Sequence, residues 1–509
     1  MKNINTGNQM ISYLWLCAAG LLFALAVGQW STPAAAWLAP AFMLGFLRMQ
    51  KPARGLLIGL AVYCAAFSIA LRGVVLIPSV VIFMAMIGFV SVVSFIPFAA
   101  DRLLGARLEG FPSTLVFPLT VTAVEYIGSF SPTSGSFGSL ANTQLPNLPL
   151  IQIASVTGIW GISFTVSWFC STAVWVWSQG FSWDHIRKGV CVYAGVLAAV
   201  LLFGGVRLAL NRPEGKPVMV AGVTSQHEIK PDFMKWLKTS ACPPLERSLD
   251  ELREKTGRAA LTGARIIVWS EYSALIAKQD ETAYVECGRE LARKHGVYLL
   301  LSAGVMGNSK KIESDNIAVF IGPEGEVLWR YSKSHLVPGA ESYFMVPGKK
   351  DIPVVSTPYG KIAAVICFDL DFPSYVRSAA AKGADIILVP SYDWREIAPI
   401  HTYMAGFRAI ENGFTVFRVT GNGYTAALDT TGRVIGGMDF FTTGSYIMSA
   451  EIPVKRSFTV YSVAGDWFAW LCIAALVSLV LVAVRKGRAG PENAPPFRCQ
   501  MAKTSISTW

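Results

Sequence analysis

The stretch Lys361-Ile362-Ala363-Ala364-Val365-Ile366-Cys367-Phe368-Asp369 decides how this chain is read. A short unbroken apolar run rich in β-branched and aliphatic residues suits a strand covered on both faces. It ends on a thiol and an acid. Two other stretches share this design. Ile266-Ile267-Val268-Trp269-Ser270-Glu271 ends on a carboxylate, and Trp329-Arg330-Tyr331-Ser332-Lys333 ends on an ammonium. Each predicts a strand that starts in a core and delivers a reactive group at its end.

Around these stretches strands and helices alternate. Strands are expected at Val218–Val223, Ala264–Trp269, Val297–Gly304, Ile317–Ile321, Val327–Tyr331, Lys361–Cys367, Ile386–Pro390, Thr415–Val419, Thr425–Asp429 and Tyr446–Glu451. Helices are expected at Leu245–Lys255, Glu281–Lys294 and Ile400–Glu411. Such alternation implies an α/β domain with central sheets, here placed at 213–462.

The rest of the chain has a different composition. Of 509 residues, 53% are hydrophobic and only 15% charged, against about 25% charged in soluble proteins. That excludes a disordered or collagen-like chain and an ordinary cytosolic enzyme. Apolar stretches near 11–28, 34–48, 55–71, 74–99, 111–129, 151–178, 189–210 and 465–484 predict about eight membrane spans. The first has no clear small-residue cleavage site and reads as an anchor. Seven spans then fill 1–212, the eighth 463–485, and 486–509 is expected to be a disordered cytoplasmic tail.

Basic residues cluster in alternate loops: Lys2; Arg48, Lys51 and Arg54; Arg102 and Arg107; Arg187 and Lys188; Arg485, Lys486 and Arg488. Only Arg72 breaks the pattern. The positive-inside rule puts both termini in the cytoplasm and 213–462 outside. The net charge of +11 is thereby accounted for, and no basic-aromatic patch points to nucleic acid. Nine scattered cysteines, none in a CxxC or Cys/His zinc pattern, argue against a disulfide framework or structural zinc.

Taken singly, Glu271, Lys333 and Cys367 have ordinary explanations: a solvated acid, a surface lysine, a core cysteine. Together they form a working set. A thiol attacks as thiolate and needs a base or a positive neighbour. Glu271 would take its proton, Lys333 would stabilise thiolate and oxyanion, and N–H groups after Cys367 would complete an oxyanion hole.

Glu, Lys and Cys at strand ends in this order resemble the nitrilase (carbon–nitrogen hydrolase) superfamily. So do Lys333-Ser334-His335-Leu336-Val337-Pro338, Arg408-Ala409-Ile410-Glu411-Asn412-Gly413, Arg418 and Gly421-Asn422-Gly423-Tyr424. With the spans, and with Pro149-Leu150-Ile151-Gln152 through Trp160-Gly161-Ile162-Ser163-Phe164, residues 10–485 resemble the apolipoprotein N-acyltransferase family. The resemblance implies a polytopic α-helical bundle carrying a four-layer α-β-β-α sandwich in a bacterial inner membrane, with the catalytic domain on the periplasmic side. It implies a phospholipid donor of an sn-1 acyl chain, a thioester on Cys367, and a diacylglyceryl-cysteine lipoprotein as acceptor. By position Glu271 is the base, Lys333 the oxyanion stabiliser and Cys367 the nucleophile. Glu341 matches a second glutamate that positions Lys333, and Trp236 a tryptophan on a loop at the site entrance. Neither cofactor nor metal is implied, and a monomer is expected.

The chain departs from the family at Cys367-Phe368-Asp369, where Cys-Tyr-Glu is usual, and at Val337-Pro338-Gly339-Ala340-Glu341, where Val-Pro-Phe-Gly-Glu is usual. Phe368 and Asp369 are therefore supporting residues of interest, and their wording is closer to soluble amidases. The alternative reading is a membrane-anchored nitrilase-type amidase acting on a small C–N substrate; a non-enzymatic scaffold has no use for all three reactive groups. His335 is read as a hydrogen-bonded structural group, Arg408 and Glu411 as an internal ion pair, and Asp369, Asp371 and Asp393 as solvated or capping. Glu125, inside the fifth span, serves either a head-group site or an interhelical hydrogen bond.

Overall fold

The computed structural model describes residues 6–77, 79–211, 216–226, 229–308 and 313–488. Among the described residues thirteen strands form two sheets. They are β1 (Val218–Val223), β2 (Ile266–Trp269), β3 (Leu275–Ala277), β4 (Tyr298–Met306), β5 (Asp315–Ile321), β6 (Val327–Ser332), β7 (Val354–Thr357), β8 (Gly360–Ala364), β9 (Ile386–Tyr392), β10 (Thr415–Gly421), β11 (Tyr424–Leu428), β12 (Val434–Asp439) and β13 (Ile447–Ile452). One sheet runs β13-β1-β2-β4-β5-β6, with β3 on β4; the other runs β12-β11-β10-β9-β8-β7. In both, the central pairs are parallel: β1 with β2, β2 with β4, β8 with β9, β9 with β10.

Burial on both faces explains the unbroken apolar runs. Val220, Ile266, Val268 and Leu300 of the first sheet pack against Ile362, Ala364, Leu388 and Phe417 of the second. The sheets come close at Gly222, where a Cβ would lie 2.8 Å from Val419. The outer face of the first sheet is covered by helices Leu245–Ala260 and Glu281–His295, and that of the second by Pro373–Ala381 and Ile400–Asn412. The result is a four-layer α-β-β-α sandwich.

The remaining long helices are apolar: Thr6–Ala24, Pro33–Met49, Pro52–Ala70, Val80–Leu104, Val116–Gly128, Trp160–Ser178, Trp183–Leu210 and Trp467–Arg488. Among the described residues, four stretches are long and apolar enough by themselves to cross a membrane: Pro52–Ala70, Val80–Arg107, Trp183–Leu210 and Trp467–Lys486. The other expected spans fall short for local reasons. Pro33–Met49 is short and carries Pro40. The fifth helical stretch has only 13 residues. The sixth is interrupted at Gly158, φ +67, and its main helix, Trp160–Ser178, is rich in Ser, Thr and Trp. That composition suits its place, since most of its side chains are buried against other helices.

Glu125 accepts from Ser139 Oγ (2.7 Å), Ser163 Oγ (2.6 Å) and the N–H of Leu140 (2.8 Å), which is the interhelical hydrogen-bonding role. The expected disordered tail begins too early, because the last helix continues to Arg488; 489–509 lie outside the described residues.

Candidate active site

The reactive residues gather where strands end. Glu271 follows β2, Lys333 follows β6, and Cys367 opens a 3-10 turn, Cys367–Asp371, shortly after β8. Lys333 Nζ lies 2.8 Å from Glu271 Oε1 and 2.9 Å from Glu341 Oε2. All three are buried, with Lys333 only 1% exposed. Cys367 Sγ faces the Tyr392 carbonyl at 3.7 Å. A small cavity lies against this group, lined by Ser225, Ser270, Glu271, Tyr272, Tyr392, Gly421, Asn422 and Phe440.

Backbone strain concentrates here. Tyr272 (φ +54), Cys367 (φ +46) and Asn422 (φ +56) are left-handed without being glycine. Each such residue costs about 1–3 kcal/mol. The conformation at Cys367 turns the chain sharply from strand into the 3-10 turn that carries the sulfur.

The charges divide the roles of the two glutamates. Burial pushes Glu271 up, with Lys333 opposing and Glu341 adding to the rise. For Glu341 burial is outweighed by Lys333 and by hydrogen bonds from Lys333, Tyr272 and the Val337 N–H, so it is held down. For Lys333 burial is outweighed by both glutamates, and the ammonium is retained. Burial and then Glu271 push the Cys367 thiol well up, against Lys333 and Arg418. At rest the site is therefore a neutral thiol beside a salt-bridged lysine, with Glu341 as the standing counter-ion and Glu271 as the carboxylate readier to hold a proton.

Two members of this group were silent in the sequence. Asn316 on β5 donates from Nδ2 to both glutamates, at 2.6 Å to Glu271 and 2.9 Å to Glu341. The Tyr272 hydroxyl donates to Glu341. An asparagine within a strand carries no signal by itself; the clue available was that Tyr272 follows Glu271.

Asp369 has no free face toward a substrate. It accepts from Tyr331 Oη (2.7 Å) and from the N–H groups of His335 (2.7 Å), Ser334 (3.2 Å) and Ile366 (3.1 Å). It thus ties the loop after Lys333 to the turn of Cys367. The capping reading holds for Asp369, whose side chain accepts the N–H of Ile366, the residue before the turn; the solvated-or-capping reading fails for Asp371 and Asp393, which are both buried and bonded to His401. Phe368 packs edge-on against Phe372 at 5.2 Å. His335 stacks on Phe372 at 3.9 Å and bonds Asp369 at 3.0 Å. Trp236, expected on a loop, sits on the helix Ile229–Thr239, wholly buried beside Phe233 and Phe344. An amphipathic turn of helix gives its ring a core to enter, and its Nε1 donates to the Gly307 carbonyl at 3.1 Å. Arg408 and Glu411 pair at 3.1 Å, and Glu411 also accepts the Ile159 N–H from the helical bundle at 3.0 Å.

Cys367 Sγ, a carboxylate oxygen of Asp393 and a ring nitrogen of His401 lie within 4.8 Å of one another. As a metal site this donor set fits poorly, because both ring nitrogens are bonded to carboxylates and Asp393 is paired with Arg418.

Two family models match the chain: Carbon-nitrogen hydrolase over residues 221–458 and Apolipoprotein N-acyltransferase N-terminal domain over residues 19–172. An apolipoprotein N-acyltransferase of Geobacter metallireducens is 26% identical, over 93% of this chain and 95% of that one. Another, of Rickettsia typhi, is 26% identical over 72% of this chain and 75% of that one. Among solved structures, an amidase from Nesterenkonia sp. is 22% identical over 48% of this chain and 92% of its own, with a TM-score of 0.39.

Proposed function

The chain belongs to the apolipoprotein N-acyltransferase family of the nitrilase superfamily, and from that premise we propose that it transfers an acyl chain from a phospholipid, through a thioester on Cys367, to the α-amino group of a diacylglyceryl-cysteine lipoprotein. The observation that carries the mechanism is the buried pairing of Lys333 with two glutamates beside the thiol.

In the first half-reaction Glu271 removes the thiol proton as sulfur attacks the ester carbonyl. Lys333 faces the developing oxyanion. Collapse breaks the acyl C–O bond, Glu271 returns the proton to the glycerol oxygen, and lysophospholipid departs. In the second, the lipoprotein amine attacks the thioester carbonyl, Glu271 accepts its proton, and the C–S bond breaks to regenerate the thiol. Glu341 acts through Lys333, keeping the ammonium charged while Glu271 cycles. Asn316 and Tyr272 hold the two carboxylates in place.

The catalytic domain, 213–462, sits outside a bacterial inner membrane; seven spans precede it in 1–212 and an eighth follows at 463–485. The enzyme works as a monomer, and Trp236, Phe233 and Phe344 form an apolar wall beside the entrance. Cys367-Phe368-Asp369 is the feature that favours a small-substrate amidase, but the Asp369 carboxylate is committed to Tyr331, Ser334, His335 and Ile366. Intact-mass measurement after incubation with phospholipid tests the proposal. The expected result is one acyl adduct on Cys367, discharged by a diacylglyceryl lipopeptide; no adduct from any phospholipid would send the search to amide substrates.

A further inference from the structure

Behind Cys367 lies a buried ionic cluster that acyl transfer, as written above, does not use. His401, on the helix Ile400–Asn412, bonds Asp393 through Nδ1 at 2.8 Å and Asp371 through Nε2 at 3.0 Å. Arg418 of β10 pairs with both oxygens of Asp393 at 2.9 Å. Asp371 closes the turn that Cys367 opens. Asp393 follows β9, whose last carbonyl, at Tyr392, faces the sulfur. His401 therefore joins the two segments between which Sγ sits.

The same cluster reaches the membrane bundle. The Asp371 carbonyl accepts the N–H of Ser136 at 2.7 Å, from the loop between the expected fifth and sixth spans. Phe137 meets the His401 ring edge-on, centroids 6.5 Å apart. Gly135, at φ +50, allows the approach: a Cβ there would lie 2.5 Å from the Asp371 carbonyl oxygen.

We propose that His401 is a positioning residue for the Cys367 nucleophile, clamping Asp371 and Asp393 across the sulfur, and that the loop at Gly135–Phe137 completes the clamp from the bundle side. The protonation state fits. Burial would neutralise His401, but Asp371 and Asp393 outweigh burial and the opposing Arg418, and its pKa is pushed up to about 9. Both ring nitrogens then donate, and two cations balance two carboxylates. Loss of that proton frees one carboxylate and releases one side of the turn. The charged and titratable groups facing His401 are Asp371 from the nucleophile turn, Asp393 after β9, Arg418 from β10 and the Cys367 thiol, held neutral by burial, within 4.8 Å of a ring nitrogen; the bundle contributes the uncharged Phe137.

The inference rests on Cys367 being the group acylated. It is tested on the full chain in detergent micelles by single-turnover acylation of Cys367 from phospholipid, read by intact mass between pH 6.5 and 9.5. His401→Gln is expected to slow acylation roughly 10- to 100-fold, the scale of a misplaced reacting atom, with little change in the phospholipid concentration giving half-maximal rate. It should also lack the fall in rate that wild type shows as pH passes about 9. Gly135→Ala, outside the reacting groups, should slow acylation by displacing the turn while leaving the chain folded, which keeps the test open if His401→Gln does not fold. Wild-type rates and pH profile in both folded variants would overturn the inference. If wild type forms no adduct from phospholipid, the acyl-transfer proposal fails instead. The same variants are then compared on a p-nitrophenyl acyl ester, where equal rates would again overturn the clamp.

Discussion

At the level of single residues, the mechanism assigns unequal losses. Cys367→Ala removes the only atom that can carry the acyl group, so turnover and adduct should both vanish. Glu271→Gln and Lys333→Met remove the base and the oxyanion partner, each worth about 10²–10⁴ in rate. Lys333→Met also leaves Glu271 and Glu341 facing each other, buried and without the cation between them. That variant should lose stability as well as activity, whereas Glu271→Gln keeps a hydrogen-bonding group and Glu341 as partner. Parallel measurement of adduct formation and thermal midpoint separates the two effects. Asn316→Ala is the sharper test of the site's interior. It strips one donor from each glutamate, and a drop of about tenfold or more in acylation is expected. Unchanged acylation would show that Lys333 alone sets the carboxylates.

At the level of elements, His401 and Glu411 link the sandwich's stability to pH. A histidine with an ordinary pKa of 6.5 stands at about 9 in the fold. Between those values the folded chain keeps a proton that the unfolded chain releases. Its stabilisation is complete below about pH 6.5 and is lost as pH rises through 9. Glu411, raised by burial from 4.5 to about 7 despite Arg408, acts in the same direction over the lower window. Stability should therefore fall from mildly acidic to alkaline pH, and His401→Gln should flatten the upper part; a thermal midpoint that rises between pH 7 and 9 in wild type would refute this. The elements also show what a sequence can disclose. The alternating apolar runs revealed most strands, because burial on both faces leaves a compositional mark, and three of the helices covering them, but not the short Pro373–Ala381. β3, β7 and β12 escaped notice, being short or at sheet edges with mixed burial. Glu271, Lys333 and Cys367 stood out because each sits beside a distinctive strand end, whereas Glu341, in the 3-10 turn Glu341–Tyr343, was pointed to only by the resemblance. Asn316 and His401 were not: one lies inside a strand, the other on an amphipathic helix, and their partners are distant in sequence. Asp371 and Asp393 looked like ordinary loop acids until folding buried them against His401. The sixth expected span was legible as an apolar stretch but not as a broken one, because the break at Gly158 goes with its close approach to Tyr461.

At the level of the whole molecule, the proposed function turns on where the acyl donor arrives and what resolves the thioester. The bundle and the sandwich are tied by buried contacts: Glu411 to the Ile159 N–H, Gln152 Nε2 to the Thr431 carbonyl at 2.9 Å, and Trp394 Nε1 to the Gly73 carbonyl at 2.8 Å. The site is thus carried at a fixed place on the bundle, which suits a donor entering from the bilayer. A cysteine introduced at the exposed Leu261 should be labelled only from the outer face, and labelling from the cytoplasmic face alone would reverse the topology. Chemistry then depends on water. On the proposed function the thioester forms on a residue that is 4% exposed, and Tyr272, next to Glu271, packs against the apolar cluster of Trp236, Phe233 and Phe344. Excluding bulk water from such a centre suppresses hydrolysis, while an unprotonated α-amino group brought in by its own lipid anchor can attack, with Glu271 taking the proton. Given labelled phospholipid and a diacylglyceryl lipopeptide, acylated lipopeptide should exceed free fatty acid. Opening the cluster with Phe344→Ala should shift the ratio toward fatty acid without preventing adduct formation, since the substitution keeps the Phe344 N–H bond to the Glu341 carbonyl and removes only the ring. Free fatty acid as the main product of the wild-type chain, with acceptor present, would favour the hydrolase reading.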